Sequence, residues 1–367
     1  MFNYIIWNVA PYIAQIGNFE LHWYSILFAA GFFFGYKIMV SIYKSEGRPE
    51  SDVEQLAIYM FLATLIGARL GHCIFYDWAY FHNHLLEMFL PFEFEPEFKF
   101  TGFRGLASHG AAFGIIFAIW LYSRKHKGQS WLYVLDRIVI VVALAGACIR
   151  MGNLMNSEIV GKPSTASSSF VFTYSTKEAL LHTFGEGTIK DVTFKQTGKD
   201  TTYFGRPVTK LIMTLKTKRM DSAQMFVEYG VRKAITNSPE YGEHIYVPIN
   251  ALIFKGTHMI DDKNQETEVL VYGVPRHPAQ LFEAISCIIL FLFLYFLYKK
   301  NGANTPEGLL FGLFVVILFS LRFAYEFLKE NQSSFEEGMD WNMGQLLSIP
   351  LVLAGVIVLV RAMKKKQ

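Results

Sequence analysis

The chain has 367 residues, of which 52% are hydrophobic, 16% aromatic and only 18% charged. Globular domains average roughly 25% charged residues, so this composition disfavours a soluble single domain and excludes disordered and collagen-like chains. The net charge of +3 gives no argument for a nucleic-acid partner, because the basic residues are distributed loop by loop. Cys73, Cys148 and Cys287 lie inside apolar runs, which argues against a disulfide framework.

Long apolar runs predict an all-α integral membrane protein. A bilayer core of about 30 Å requires roughly 20 apolar residues per helix. Seven segments meet this requirement: 21–43, 54–78, 104–123, 133–156, 277–298, 307–328 and 341–361.

The charges of the short loops predict how these helices are oriented. Basic residues follow helices one, three, five and seven: Lys44, Arg48, Arg124, Lys125, Lys127, Lys299, Lys300, Arg361, Lys364, Lys365 and Lys366. Acidic residues follow helices two and six: Glu87, Glu93, Glu95, Glu97, Glu330, Glu336, Glu337 and Asp340. Short loops with excess Lys and Arg stay cytoplasmic. The alternation therefore predicts an amino terminus outside and a carboxyl terminus in the cytoplasm.

One polar stretch, between helices four and five, is too long for the loop-charge rule. Segments such as FVFTYS, DVTFK and EVLVYGV mix β-branched and aromatic residues with polar ones, which is typical of strands. We predict a small β-rich extracytoplasmic insertion over 162–276, between transmembrane regions 1–161 and 277–367. The strand order cannot be derived from the sequence.

Polar side chains of five helices are predicted to converge on the outer side. An ionisable group at membrane depth costs about 2.5 to 3.5 kcal/mol and is a functional candidate by default. The candidates are Tyr24, His109, Arg150, Asn153, His277, Gln280, Glu283, Arg322 and Glu326.

Structural interpretations of these residues remain open. Arg322 and Glu326, spaced i,i+4, are equally consistent with a structural ion pair. From the pattern alone, His109 is more consistent with a hydrogen bond between helices than with a catalytic role. The glycines of helices two and three, namely Gly67, Gly71, Gly110 and Gly114, indicate close helix packing.

Several chemistries lack their motifs. The sequence contains no P-loop, GxGxxG after a strand, HExxH, CxxC pair or GxSxG, so we expect no ATP, nicotinamide, structural zinc or other cofactor. Two intramembrane arginines suit an anionic lipid headgroup instead, since a guanidinium binds phosphate oxygens in a bidentate manner.

The stretch RMGNLMNSEIVG, from Arg150 to Gly161, resembles the signature of bacterial prolipoprotein diacylglyceryl transferases. Further similar segments follow in the family's order: HWYSILFAAGFFFG, ARLGHCIFYD, SHGAAFG, HPAQLFE, RFAYEF and WNMGQLLSIP. Three positions depart from the family pattern, because Ile149 replaces Gly, Ala111 replaces Gly and Phe282 replaces Tyr.

The resemblance implies an enzyme of the bacterial cytoplasmic (inner) membrane. Its partners would be phosphatidylglycerol, preprolipoprotein signal peptides with a lipobox cysteine, and the surrounding membrane lipids. The diacylglyceryl group moves to the cysteine thiol, a thioether forms and glycerol phosphate leaves.

The resemblance also implies roles for single residues. Arg150 and Arg322 bind phosphate, His109 transfers a proton or activates the thiol, and Tyr24 and Asn153 orient the lipid. Glu158, Glu283 and Glu326 order the basic groups, while Gly161, His277 and Gln280 complete the substrate site.

The alternative is a seven-helix transporter or an anionic-lipid-binding membrane protein. A transporter places its polar groups near the bilayer midplane, whereas the polar groups here are predicted at the outer ends of helices.

Overall fold

The structure is a computed structural model that describes residues 4–17, 19–90, 92–94, 98–100, 105, 107–185, 187–203, 205–237, 244–330 and 338–364. Of the loop charges used above, Glu95, Glu97, Glu336, Glu337, Lys365 and Lys366 lie outside the described residues. The chain forms two compact units. The first consists of 1–29, 146–286 and 320–348, and the second of 30–145, 287–319 and 349–367.

A helix forms at each of the seven predicted positions, with ends that differ by a few residues. The long helices are α1 (Trp23–Ser45), α2 (Glu50–Phe75), α3 (Ser108–Lys125), α4 (Trp131–Met155), α5 (Tyr174–Phe184), α6 (Ala279–Asn301), α7 (Leu309–Glu326) and α8 (Met343–Lys364). Of these, α5 lies in the polar stretch and has only 11 residues.

Within the described residues, six helices are long and apolar enough to cross a membrane: α1, α2, α4, α6, α7 and α8. The chain is therefore a multi-pass integral membrane protein. The prediction of seven spanning helices is not confirmed, because α3 is not among the six. It has 18 residues, begins with Ser, His and Gly, and ends with Arg124 and Lys125, so its uncharged apolar run, 111–122, is shorter than the roughly 20 residues that a span requires.

Helices α2 and α3 pack closely within the second unit. A Cβ atom at Gly71 would lie 2.7 Å from the Gly110 Cα, and one at Gly110 would lie 2.7 Å from the Gly71 Cα. A Cβ atom at Gly67 would lie 2.5 Å from the Gly110 carbonyl oxygen, and one at Gly114 would lie 2.5 Å from the Ala63 carbonyl oxygen. Real Cβ atoms are not found that near to backbone atoms, so these positions require glycine. The predicted packing role of the four glycines is confirmed.

The second unit also buries an ionic group that the sequence analysis did not identify. Arg137, 1% exposed, donates to Glu46 Oε1 from Nη2 at 2.9 Å, and the Tyr298 hydroxyl donates to the same oxygen at 3.0 Å. The neighbouring Asp136 accepts the Gly308 amide at 2.6 Å. Polar groups are therefore not confined to the predicted outer ends of the helices, since Arg137 lies near the first residue of α4.

The first unit contains most of the β-structure. Five strands between Ile189 and Gly273 form one sheet: β7 (Ile189–Tyr203), β8 (Arg206–Lys218), β9 (Ile245–Tyr246), β10 (Phe254–Met259) and β11 (Asn264–Gly273). Their order in the sheet is β10–β11–β8–β7, and β9 pairs with β11. Apolar side chains alternate along β8 and β11 and build a core over one face, as expected for a sheet with one buried side; this core includes Leu211, Met213, Leu215, Val269 and Val271.

Further strands lie outside the main sheet. Strand β1 (Ile5–Trp7) pairs in parallel with β6 (Phe170–Phe172), and two hairpins join β2 (Tyr12–Ile16) to β3 (Phe19–His22) and β4 (Phe92–Glu93) to β5 (Lys99–Phe100). An all-α description with a small β-rich insertion therefore understates the sheet content. Hydropathy identifies membrane helices but gives no signal for short strands that pair with distant parts of the chain.

Candidate active site

The RMGN run lies at the end of α4, against the first turn of α1. A Cβ atom at Gly152 would lie 2.6 Å from a ring carbon of Tyr24 and 3.2 Å from the Tyr24 Cα. Any larger residue at position 152 would push α1 away. The glycine between Arg150 and Asn153 therefore brings Tyr24 next to the two polar residues of the run.

The segment 156–161, here called the signature loop, has an unusual backbone. Ser157 and Ile159 have φ values of 54° and 56°, in the left-handed region. For a β-branched residue such as Ile159 this is a genuine outlier, and such strain persists only where the surroundings hold the chain in place. Strained backbone of this kind clusters at functional sites.

Hydrogen bonds around Glu158 provide that support. Its carboxylate accepts the Asn153 Nδ2 at 2.8 Å and the Asn156 Nδ2 at 3.2 Å. Its amide donates to the Asn153 carbonyl at 3.1 Å. Its carbonyl accepts the side-chain amide of the buried Gln280 at 2.5 Å. Glu158 thus fixes the loop on α4 and on the first turn of α6.

Gly161 lies where the signature loop meets two other segments. A Cβ atom there would lie 2.5 Å from the His277 carbonyl oxygen and 3.0 Å from that of Leu328. The Gly161 amide donates to the His277 carbonyl at 3.0 Å, and its carbonyl accepts the Arg276 Nη1 at 3.2 Å. His277 therefore contacts the loop through its backbone, and Gln280 through its side chain.

Four charged side chains form an alternating series that we call the ionic chain: Arg150, Glu283, Lys329 and Glu326. The Arg150 Nε lies 2.5 Å from Glu283 Oε2. The Lys329 Nζ forms an ion pair with Glu283 Oε1 and a second with Glu326 Oε1 at 3.5 Å. Two cations and two anions thus compensate each other where Lys329 is only 3% exposed, as buried charges require.

The far end of the ionic chain is attached to α8. Asn342 donates from Nδ2 to Glu326 Oε2 at 3.1 Å. Asn342 and Gln345 also exchange hydrogen bonds between side chain and backbone, at 2.9 and 3.1 Å, in a capping box at the start of that helix. The WNMGQ motif therefore positions the amide that holds Glu326.

Arg150 is the member of the ionic chain with an open donor edge. Its side chain is 24% exposed, against 9% for Glu283. Nε is engaged by Glu283, and Nη1 donates weakly to the Asn153 Oδ1 at 3.4 Å. Among the described residues Nη2 donates no hydrogen bond. The edge formed by Nη1 and Nη2 can therefore bind an anion such as a phosphate in a bidentate manner.

Arg322 does not form the ion pair that the i,i+4 spacing indicated. Glu326 instead pairs with Lys329 and Asn342. Arg322 is exposed, and within the described ranges it has no ion-pair or hydrogen-bond partner. It therefore remains available as a second cation.

His109 belongs to the second compact unit, so it is not among the residues that the first unit brings together. It lies in the first turn of α3 and is exposed. The ring forms no hydrogen bond to the part of the chain that the structure describes. The interpretation of His109 as a hydrogen bond between helices is therefore not observed.

Three residues of the site were not predicted from the sequence: Lys329, Asn342 and Arg276. Arg276 is fully buried and forms an ion pair with Glu330 at 2.8 Å. The spacing of Lys329, three residues after Glu326, was the one local signal available. The others act through contacts with residues more than ten positions away or with backbone, which periodicity does not report.

Comparison with known proteins identifies relatives over nearly the whole chain. A family model described as "Prolipoprotein diacylglyceryl transferase" matches residues 11–361. A phosphatidylglycerol–prolipoprotein diacylglyceryl transferase of Bacteroides fragilis is 34% identical over 364 residues, which cover 99% of this chain and 96% of the relative. A protein of the same name from Tolumonas auensis is 30% identical, over 99% of this chain and 99% of the relative. Another, from Chloroherpeton thalassium, is 29% identical, over 100% of this chain and 97% of the relative. The chain belongs to the prolipoprotein diacylglyceryl transferase family.

Proposed function

We propose that this protein transfers the diacylglyceryl group of phosphatidylglycerol to the lipobox cysteine of preprolipoproteins, the first step of bacterial lipoprotein maturation. The observation that carries the proposal is the anchored Arg150. Its Nε is fixed by Glu283 at 2.5 Å, beside a strained signature loop, and its outer edge is open to a phosphate.

The reaction forms one bond and breaks one. The cysteine thiol gives its proton to a base, the role assigned to His109, since the thiolate and not the thiol is the nucleophile. The sulfur then bonds to the glyceryl carbon while the bond from that carbon to a phosphate oxygen breaks. The bond's electron pair leaves on this oxygen, so negative charge increases on the departing glycerol phosphate.

Arginines near the phosphate lower the barrier because they meet charge that develops in the transition state. Arg150 is assigned to this phosphate, with Arg322 as the second cation. Glu283, Lys329 and Glu326 keep the Arg150 side chain in one orientation, as the ion pairs suggest.

The remaining assignments follow the family. His109 acts in proton transfer or thiol activation. Tyr24 and Asn153 orient the lipid, and Glu158 and Gly161 keep the signature loop in shape. His277 and Gln280 support that loop from the start of α6.

The same proposal includes the threading of the chain. The amino terminus lies outside and the carboxyl terminus in the cytoplasm, in the inner membrane of a bacterium, with 162–276 as an extracytoplasmic domain. Helix α3 is the seventh span. Its 18 residues give a length of about 27 Å, slightly less than the hydrocarbon thickness of about 30 Å.

A transporter or a simple lipid-binding protein is not favoured by the site. Such a protein breaks no bond to the lipid phosphate, so it requires neither a fixed cation for a leaving phosphate nor a nucleophilic acceptor substrate. Membership of a transferase family adds to this argument.

A transfer assay tests the proposal. The purified protein is reconstituted in phosphatidylglycerol vesicles and given a lipobox peptide, and the peptide mass and released glycerol phosphate are measured. We expect a diacylglyceryl mass increase on the peptide and one glycerol phosphate per modified peptide. A peptide with Ser in place of Cys, and vesicles of phosphatidylcholine, are the controls. Folded protein that leaves the cysteine peptide unmodified would contradict the proposed function.

A further inference from the structure

The loop 247–252, here called the aliphatic loop, exposes apolar side chains on the surface of the β-sheet unit. Its sequence, VPINAL, contains no charged residue. Ile249 and Leu252 are each 64% exposed, whereas Val247 and Ile253 at its two ends are buried. Single exposed aliphatic side chains are common, but two on one short loop indicate an interaction surface.

Side chains from neighbouring elements hold this loop in a fixed shape. Arg232, in the helical segment 223–237, donates to the carbonyl oxygens of Pro248 at 2.5 Å and Ala251 at 2.7 Å. The Tyr203 hydroxyl donates to the Val247 carbonyl at 3.2 Å. The loop is therefore ordered with its apolar side chains outward, and does not fold them against the sheet.

The aliphatic loop lies at the end of the sheet from which the chain enters a membrane helix. Strand β11 ends at Gly273, and α6 begins six residues later at Ala279. Gly273 at the end of β11 pairs with Thr209 of β8. Strand β8 extends past this pair by three residues, to Arg206, so it projects about 10 Å beyond the end of β11. Arg206 pairs with Tyr203, the residue whose hydroxyl holds the aliphatic loop.

Three tyrosines mark the same end of the sheet. The ring of Tyr203 lies 5.8 Å from that of Tyr246 and 5.1 Å from that of Tyr272. Tyr and Trp are enriched where a protein crosses the headgroup layer, because one end of the ring system is apolar and the other polar.

Exposed basic residues adjoin the loop. They are Arg206, whose Nη1 donates to the Tyr246 hydroxyl at 3.5 Å, and Lys255, which donates to the Leu252 carbonyl at 3.4 Å. Basic residues next to an apolar patch complement an anionic lipid surface.

We infer that the aliphatic loop inserts Ile249 and Leu252 into the headgroup layer of the bilayer that holds the protein's own helices. Arg206 and Lys255 contact anionic headgroups around it. The sheet is thereby attached to the membrane surface by a second contact besides its covalent link to α6. This inference uses the membrane helices and the sheet, and does not rest on the proposed transfer reaction.

Spin labelling of the full-length protein tests the inference. Cys73, Cys148 and Cys287 are replaced by Ala, and single cysteines are introduced as Ile249→Cys, Leu252→Cys and, as a control, Asp262→Cys. Asp262 is exposed and lies in the turn between β10 and β11, at the opposite end of the sheet. Each labelled protein is reconstituted in vesicles that contain phosphatidylglycerol.

The measurement is the collision rate of each label with oxygen, which concentrates in the bilayer, and with a water-soluble nickel chelate. We expect the ratio of oxygen to nickel collisions at positions 249 and 252 to be several-fold higher than at 262. A water-like ratio at all three positions would overturn the inference.

Two further outcomes are informative. If the labels at 249 and 252 contact nickel freely in vesicles and lose this contact only when a lipobox peptide is added, the loop binds peptide, and the membrane contact is wrong. If the label at 249 prevents folding, position 252 alone decides the question, since both side chains are exposed to the same extent.

Discussion

Arg150 meets Glu283 through its Nε, 2.5 Å from Oε2, so the carboxylate holds one side of the guanidinium, while among the described residues Nη2 donates no hydrogen bond and Nη1 makes only a weak one, to Asn153. Glu283→Gln keeps the shape of the side chain but removes the charge that fixes Arg150. A misplacement of about 1 Å can cost roughly 10²-fold in rate, and we expect a turnover loss of that order in the transfer assay. Glu54→Gln, at an exposed position of α2, is the control. Wild-type kcat and KM in Glu283→Gln would show that Arg150 needs no such support.

Lys329 is expected to be important for stability because it lies between two carboxylates. Lys329→Met leaves Glu283 and Glu326 without their shared cation. Removing one partner of a buried ion pair typically costs about 3 to 5 kcal/mol, so the detergent-solubilised variant should unfold at a lower temperature. Lys329→Arg keeps the charge and should retain most of the stability. An unchanged unfolding temperature in Lys329→Met would mean that the ionic chain contributes little to the fold.

The sheet should lose stability at acidic pH because of His244. Burial, together with the charge of Arg276, lowers the pKa of His244 to about 4 from 6.5. The unfolded chain therefore binds a proton that the folded sheet excludes between these values, and stability falls as pH decreases from about 6.5 to 4. The loss is at most about 3 kcal/mol.

Hydrogen exchange of the β9 and β11 amides, corrected for the intrinsic pH dependence, measures this loss. His244→Gln should reduce the difference in protection between pH 7 and pH 5, whereas His258→Gln, at an exposed position of β10, should not. Equal pH dependence in the wild type and His244→Gln would exclude His244 as its source.

Sequence reasoning located the membrane helices because their lengths and compositions are set by the bilayer. The resemblance to the family signature named Arg150, Asn153, Glu158 and Gly161 together, since these lie in one continuous motif, and their roles stay predictions. Hydrophobic length carries no information about which strand pairs with which. The pairing of β1 with β6, more than 160 residues apart, was therefore not predicted.

The ion pairs of the site show the same limit. The i,i+4 spacing on α7 indicated a pair between Arg322 and Glu326, yet Glu326 pairs with Lys329 and Asn342. Local spacing reports which side chains share a helix face, but tertiary contacts decide between competing partners. Glu283 is likewise joined to Lys329 across 46 positions of sequence, which no periodicity predicts.

His109 is assigned to thiol activation, and His109→Gln tests this role. Glutamine retains hydrogen bonding but cannot accept the thiol proton, so we expect turnover to fall by roughly 10²- to 10⁴-fold, as for loss of a general base. Raising the pH should partly restore the variant, because the thiolate fraction of a peptide cysteine increases through its pKa of about 8.5. Near-normal rates per folded enzyme across the pH range would remove His109 from the mechanism.

The central claim is that the open edge of Arg150 binds the lipid phosphate in a bidentate manner during transfer. Arg150→Lys keeps the positive charge but loses the planar fork. The decisive measurement is kcat/KM of Arg150→Lys in the phosphatidylglycerol and lipobox-peptide assay, at equal amounts of folded protein. We predict a loss of roughly 10²- to 10³-fold, as for removal of one preorganised donor to a developing anion. A value close to that of the wild type would contradict the claim.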